Sequence, residues 1–263
     1  MQTIVPSDAP KTSKHGLGGF WFFLLCVLLV RSFLVSPFRI PSGSMIPSLL
    51  VGDTIVVTKF PYGWSRYSLL FGGYLNYFKG HSPILFPPKR GDIVVFTNPN
   101  DTREDWIKRL VGLPGDTVQM NQGKLYLNGV ELLLEKQKEG YKDHDGEESI
   151  EGTVYKTQIP TGTGKMHPYS VLKQAPFGSK AGDNTPLLKV PEGHYFFMGD
   201  NWDGSGDSRF TDRLGFVPQK FLLGRALFIF FSLDTHDIYL KQPWTWFKVP
   251  FRIRFGRTLN KAI

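Results

Sequence analysis

From Leu17 to Val35 the chain runs through 19 residues interrupted only by Arg31 and Ser32, and no other stretch restricts the possible folds as strongly. As a helix this run is roughly 28 Å long, close to the hydrocarbon thickness of a bilayer. Arg31 is expensive at the midplane, but it lies near one end, where its long stem can snorkel to the headgroups. A buried helix of a soluble domain and a cleaved leader are the rival readings. The second needs small residues at a cleavage site, and no alanine occurs between Ala9 and Ala175. The expectation is an uncleaved anchor over residues 17–36. Residues 1–16 then form a short cytoplasmic tail, because Lys11 and Lys14 are opposed only by Asp8.

The remainder has material for a core, with 41% apolar and 14% aromatic residues in 263, enough for one large domain or two small ones. The single cysteine, Cys26, rules out an intrachain disulfide and a cysteine zinc site. A net charge of +8 directs attention to an anionic bilayer or to nucleic acid. Residues 241–263 hold Lys241, Lys248, Arg252, Arg254, Arg257 and Lys261 with no acid, interleaved with Trp244, Trp246, Phe247, Phe251 and Phe255. Such a tail suits a lipid surface next to an anchor better than it suits stacked bases.

After the anchor the chain reads as β. Runs at 53–59, 92–97, 106–112, 117–120, 124–127, 194–198 and 226–232 are β-branched or aromatic and bounded by Gly, Pro, Asn or Asp. Asn128-Gly129 is a hairpin turn. Helical periodicity is absent beyond the anchor, so the fold class is mainly β, with short antiparallel strands filling residues 37–240. Two insertions interrupt this pattern. Residues 60–88 are rich in aromatics and glycine, as expected of a lipid-resting loop or a small satellite core. Residues 135–188 are polar and glycine-rich and read as an inserted cap region, whose charge run at 142–148 is expected to be a solvated face.

The chemistry-bearing residues are a serine pair in Ser42-Gly43-Ser44-Met45 and a lysine in Asp105-Trp106-Ile107-Lys108-Arg109-Leu110-Val111. An amine desolvated among apolar side chains can have its pKa lowered far enough to accept a serine proton. Strand alternation puts Lys108 on the face of Trp106 and Leu110 and turns Arg109 away. Ser44 would be the nucleophile, and a second hydroxyl at Ser42 can reach the same carbonyl oxygen.

Ser42 to Leu49, the Gly91-Asp92-Ile93-Val94 strand, Trp106 to Arg109 followed by Gly112-Leu113-Pro114-Gly115-Asp116, and Gly199-Asp200-Asn201 followed by Ser205-Gly206-Asp207-Ser208-Arg209 resemble the successive motifs of bacterial type I signal peptidase. The resemblance runs from the anchor to about Phe230. It implies a signal-peptidase-type β domain on the outer, periplasmic face of the inner membrane, tethered by one pass. It also implies removal of signal peptides from exported preproteins after small-x-small sites. By the resemblance, Ser44 and Lys108 are catalytic, and the Ser42 hydroxyl and Ser44 N–H form the oxyanion hole. Ser205 hydrogen-bonds the lysine, Asp207 and Arg209 brace its loop, and Asp200 pairs with Arg109. Ile40, Met45, Leu49, Trp106 and Ile107 surround shallow pockets for the small substrate residues.

Trp202, Gly204 and Trp106 depart from the family's commonest residues. No cofactor or metal is implied; Asp200, Asp203 and Asp207 have the spacing of oxygen ligands in a calcium loop, but the closing glutamate of an EF-hand is absent. Expected partners are preproteins, lipid and the secretion translocon, and not nucleic acid. The alternatives are another Ser/Lys peptidase, such as a pilus-maturation or conjugation peptidase, and a catalytically silent membrane-tethered secretion factor.

Overall fold

A computed structural model describes residues 16–63, 85–145, 148–162, 164–233 and 259. The N-terminal tail, most of the 60–88 insertion and nearly all of the basic 241–263 tail lie outside the described residues. Among the described residues one α-helix, α1 (Gly16–Phe33), is followed by fourteen strands. In chain order these are β1 (Val35–Arg39), β2 (Asp53–Thr58), β3 (Ile93–Thr97), β4 (Asp105–Gly112), β5 (Thr117–Asn121), β6 (Lys124–Leu127) and β7 (Val130–Glu131), then β8 (Glu135–Asp145), β9 (Glu148–Pro160), β10 (Met166–Lys173), β11 (Leu188–Lys189), β12 (His194–Met198), β13 (Val217–Pro218) and β14 (Leu222–Ser232).

They form three antiparallel sheets. The largest has the order β1-β2-β14-β3-β4-β12-β13, a second is β11-β5-β6-β7, and the third is β10-β9-β8. All seven sequence-read strands are present. Asn128 and Gly129 both take positive φ, 52° and 79°, as a tight hairpin turn between β6 and β7 requires. β14 starts earlier than its apolar run implies and inserts between β2 and β3, a pairing that only long-range contacts decide.

The helix is shorter than the expected 17–36 span. It stops at Phe33 because Val35 already pairs with Thr58, and Arg31 O accepts hydrogen bonds from Ser36 Oγ at 2.9 Å and Lys59 Nζ at 3.1 Å. Among the described residues no helix is long and apolar enough to cross a membrane. The consecutive Phe20, Trp21, Phe22 and Phe23 are all exposed, so apolar side chains point outward around the whole circumference of α1.

The 135–188 insertion contains the third sheet, which its composition concealed. In β8 only Tyr141 is fully buried along eleven residues, so no alternating pattern marks the strand. Tyr141 joins Ile150, Val154 and Leu172 in a cluster that also takes Ile46 and Leu50, from the segment just after Ser44. The opposite side chains of that segment, Met45 and Leu49, pack with Ile40, Ile55 and Val95 of the large sheet. Chain 40–50 is therefore held between two sheets, and burial of both of its faces fixes its course.

Candidate active site

Gly43–Met45 form a single 3₁₀ turn that sets Ser44 at the rim of a cleft of about 780 Å³. Ser42, Trp106, Ile107, Lys108 and Asp145 also line this cleft. Cross-strand pairing of Val94 with Lys108 fixes the lysine backbone, and its Nζ extends over the Trp106 ring, 5.5 Å from the centroid. From there the amine donates to Ser44 Oγ at 2.5 Å. Lys108 is 5% exposed. Burial drives its pKa down to about 8, against the opposing pull of the Asp207 and Asp200 carboxylates and with a smaller push from Arg209. An amine of lowered pKa, burial and contact with a hydroxyl coincide at this point.

Arg109 turns to the other face as strand alternation requires, yet it does not reach solvent. Its guanidinium is fully buried over the Tyr169 ring and makes two bonds to Asp200, at 2.8 and 2.7 Å. Further bonds to Gly91 O at 2.8 Å and Ser48 Oγ at 3.2 Å use two of its three remaining N–H groups. Asp207 pairs with Arg209 and accepts from Gly199 N, while Arg209 also donates to Trp202 O. Burial raises the Asp207 pKa, but the Arg209 charge and hydrogen bonds, the Gly199 N–H and the Lys108 charge together outweigh it and hold the carboxyl low. Asp203, the third carboxylate considered as a calcium ligand, bonds Lys173 at 2.5 Å, and Lys173 also reaches Asp183 at 2.8 Å. Each acid of this loop thus faces a buried cation.

One expected contact is missing. Ser205 is buried, but among the described residues its hydroxyl has no hydrogen-bond partner and does not bond the Lys108 amine. It lies instead against Gly199, where an added methyl would meet both Ser205 Oγ and the Ser44 carbonyl. The lysine's hydrogen bond goes to Ser44. Of the residues expected around the substrate pockets, Trp106 and Ile107 line the cleft, whereas Ile40, Met45 and Leu49 are buried in the core cluster beneath it. Trp202, which departs from the family's commonest residue, packs into the core formed by β5, β6 and β10.

Sequence reasoning alone assigns no role to Asn201 or Asp145. Asn201 N donates to Ser44 O at 3.1 Å and its Nδ2 to Gly43 O at 3.3 Å, while its Oδ1 accepts from Gly204 N and Gln174 Nε2. It lies within the Gly199-Asp200-Asn201 motif, which marks its position but not its partners. Asp145 falls in the charge run read as solvated. Lys142 does pair with Glu151 at the surface, but Asp145 turns inward and accepts from Gly43 N at 2.8 Å.

A domain of antiparallel sheets with a buried lysine amine on a serine hydroxyl has the make-up of a serine-type hydrolase, and comparisons with known proteins narrow the class. Residues 16–231 match the family described as signal peptidase, peptidase S26. Signal peptidase I of Rickettsia prowazekii (strain Madrid E) is 42% identical over 229 residues, covering 86% of this chain and 83% of that protein. Signal peptidase I of Rickettsia canadensis (strain McKiel) is 40% identical over 237 residues, covering 88% and 85%. The crystal structure of a signal peptidase I from Enterococcus faecalis V583 aligns with 28% identity over 53% of this chain and 96% of that one, at a TM-score of 0.30. The chain belongs to the signal peptidase family, peptidase S26. It is accordingly an enzyme, a hydrolase of peptide bonds.

Proposed function

We propose that the chain is a membrane-tethered endopeptidase that removes signal peptides from exported preproteins, with Ser44 as nucleophile and Lys108 as general base. The observation that carries this reading is the 2.5 Å contact between a buried amine of lowered pKa and the Ser44 hydroxyl. Neutral Lys108 takes the Ser44 proton as Oγ attacks the carbonyl carbon of the scissile bond. The oxyanion is received by the Ser44 N–H and the Ser42 hydroxyl, which lines the cleft and makes no capping bond within its own turn. The Lys108 ammonium then returns its proton to the leaving amine and breaks the peptide bond, leaving Ser44 acylated. Water, deprotonated by the same amine, releases the signal peptide and restores Ser44.

Substrate enters as an extended segment whose small residues at positions −1 and −3 fit beside Trp106 and Ile107, above a floor of Ile40, Met45 and Leu49. Larger side chains overfill those pockets. Ser205, buried and unpaired, supplies a hydroxyl to the ammonium once Lys108 has taken the proton. Asp200, Arg109, Asp207 and Arg209 hold the surrounding loops.

Membrane attachment is supported by the apolar circumference of α1 and by the exposed Phe228, Phe230 and Phe231 of β14, while a cytoplasmic N-terminus with the domain on the outer face rests on the charges of Lys11 and Lys14. Exposed Phe60 and Phe86, in edge contact at 6.1 Å, add to this surface. The deciding experiment uses the full chain purified in detergent and a preprotein with an Ala-x-Ala site. Ser44→Ala is expected to abolish cleavage, and undiminished cleavage by that variant would overturn the assignment.

A further inference from the structure

The peptide groups around Gly43 are gripped from two directions. Gly43 N–H donates to Asp145 Oδ2 at 2.8 Å, and Gly43 O accepts from Asn201 Nδ2 at 3.3 Å and from Ile46 N at 3.1 Å. Asp145 closes β8, the strand whose Tyr141 packs on Ile46 and Leu50. The cap sheet approaches so closely that a methyl on Gly43 would meet Ile150 Cδ1 at 2.8 Å and Asp145 Cβ at 3.1 Å. Only glycine leaves room for that carboxylate to reach the backbone.

Gly43 lies between Ser42 and Ser44. Its N–H belongs to the Ser42–Gly43 peptide plane, and rotating that plane re-aims both the Ser42 side chain and the following Ser44 N–H. We propose that Asp145 is a positioning residue. By accepting the Gly43 N–H, its carboxylate locks the turn so that the two oxyanion donors converge on one point. This rests on the reading of Ser42 and Ser44 given above. A charge-assisted bond of this kind is short and well directed, as preorganisation demands. The role is one of geometry and not of field at the lysine, because the carboxylates acting on Lys108 are Asp207 and Asp200. The inserted sheet thereby becomes part of the catalytic apparatus, although none of its side chains reacts.

The test compares Asp145→Asn, whose carbonyl oxygen can still accept the N–H, with Asp145→Leu, which has similar size and no acceptor. Both are made in the full chain, purified in detergent and assayed on a preprotein with an Ala-x-Ala site. Asp145→Leu is expected to lower kcat roughly tenfold, the worth of one hydrogen bond to a charged group, with KM within about twofold. Asp145→Asn should recover most of the rate, and the acid limb of kcat/KM should stay in place in both. Full kcat in Asp145→Leu, an equal kcat loss in the two variants, or a change confined to KM would each overturn the inference. Ser44→Ala run alongside separates the two levels. A dead Ser44→Ala with normal Asp145→Leu removes only the role of Asp145, whereas an active Ser44→Ala removes the mechanism on which it rests.

Discussion

The Lys108 amine lies 2.5 Å from the Ser44 hydroxyl, across 64 positions of chain, with Val94 and Trp106 fixing its approach. Burial is the main cause of its lowered pKa, so proton affinity should control the rate directly. We expect kcat/KM for a soluble signal-peptide substrate to rise with pH along an acid limb near pH 8 and then level off. A limb near pH 6.5 would point to a histidine instead.

Lys108→Arg should be inactive at every accessible pH, because a guanidinium does not give up its proton. Turnover at the normal rate in that variant would contradict a neutral-amine base. Peptide cleavage followed by mass spectrometry distinguishes the outcomes.

The same lysine should destabilise the fold at neutral pH. Its pKa is about 8 when folded and 10.5 as a free side chain, so below pH 8 both states carry the proton and the buried charge costs about 3 kcal/mol. Between pH 8 and 10.5 the unfolded chain holds more protons, and stability from this group rises with pH. Lys108→Met is therefore expected to melt higher than the parent at pH 7, with the gap closing as the pH approaches 10.5. Thermal melts at both ends of that window check it.

Arg109 and Asp200 form an ion pair with side chains only 0% and 1% exposed. Removing one partner strands a buried charge and should cost about 3–5 kcal/mol, whereas replacing both by apolar residues should cost less than the two single losses together. Denaturant unfolding of Asp200→Leu, Arg109→Met and the double variant tests this. Additive losses would show that the two groups act independently.

Gly199→Ala should be among the most damaging small substitutions in the molecule. The new methyl meets the Ser44 carbonyl and Ser205, with Ser205 Cβ at 2.5 Å, so either the Ser44 turn or the Ser205 loop must move. We expect at least a hundredfold loss of kcat/KM, since sub-ångström placement controls attack geometry. Activity within twofold of the parent would show that this turn tolerates displacement.

Much of the architecture was legible locally. β-branched runs marked seven strands, Asn128-Gly129 marked a hairpin, and alternation around Lys108 set Arg109 on the opposite face. The motif order also proposed the Ser44–Lys108 and Arg109–Asp200 pairs. Local pattern failed where burial does not alternate. β8 carries charged residues at seven of its eleven positions and so reads as a polar insertion, and Asp145 reads as solvated because its neighbours are.

The amino-acid sequence alone determined the strand-forming segments, the apolar stretch at the N-terminus and the residue types available for serine chemistry, because side-chain period and turn propensity act over a few neighbouring residues. Tertiary structure decided the end of α1 at Phe33, the insertion of β14 between β2 and β3, the unpaired state of Ser205 and the grip of Asp145 and Asn201 on Gly43. Each of these depends on hydrogen bonds and contacts between segments far apart in the chain, and which partner a buried donor finds is set by how the sheets stack.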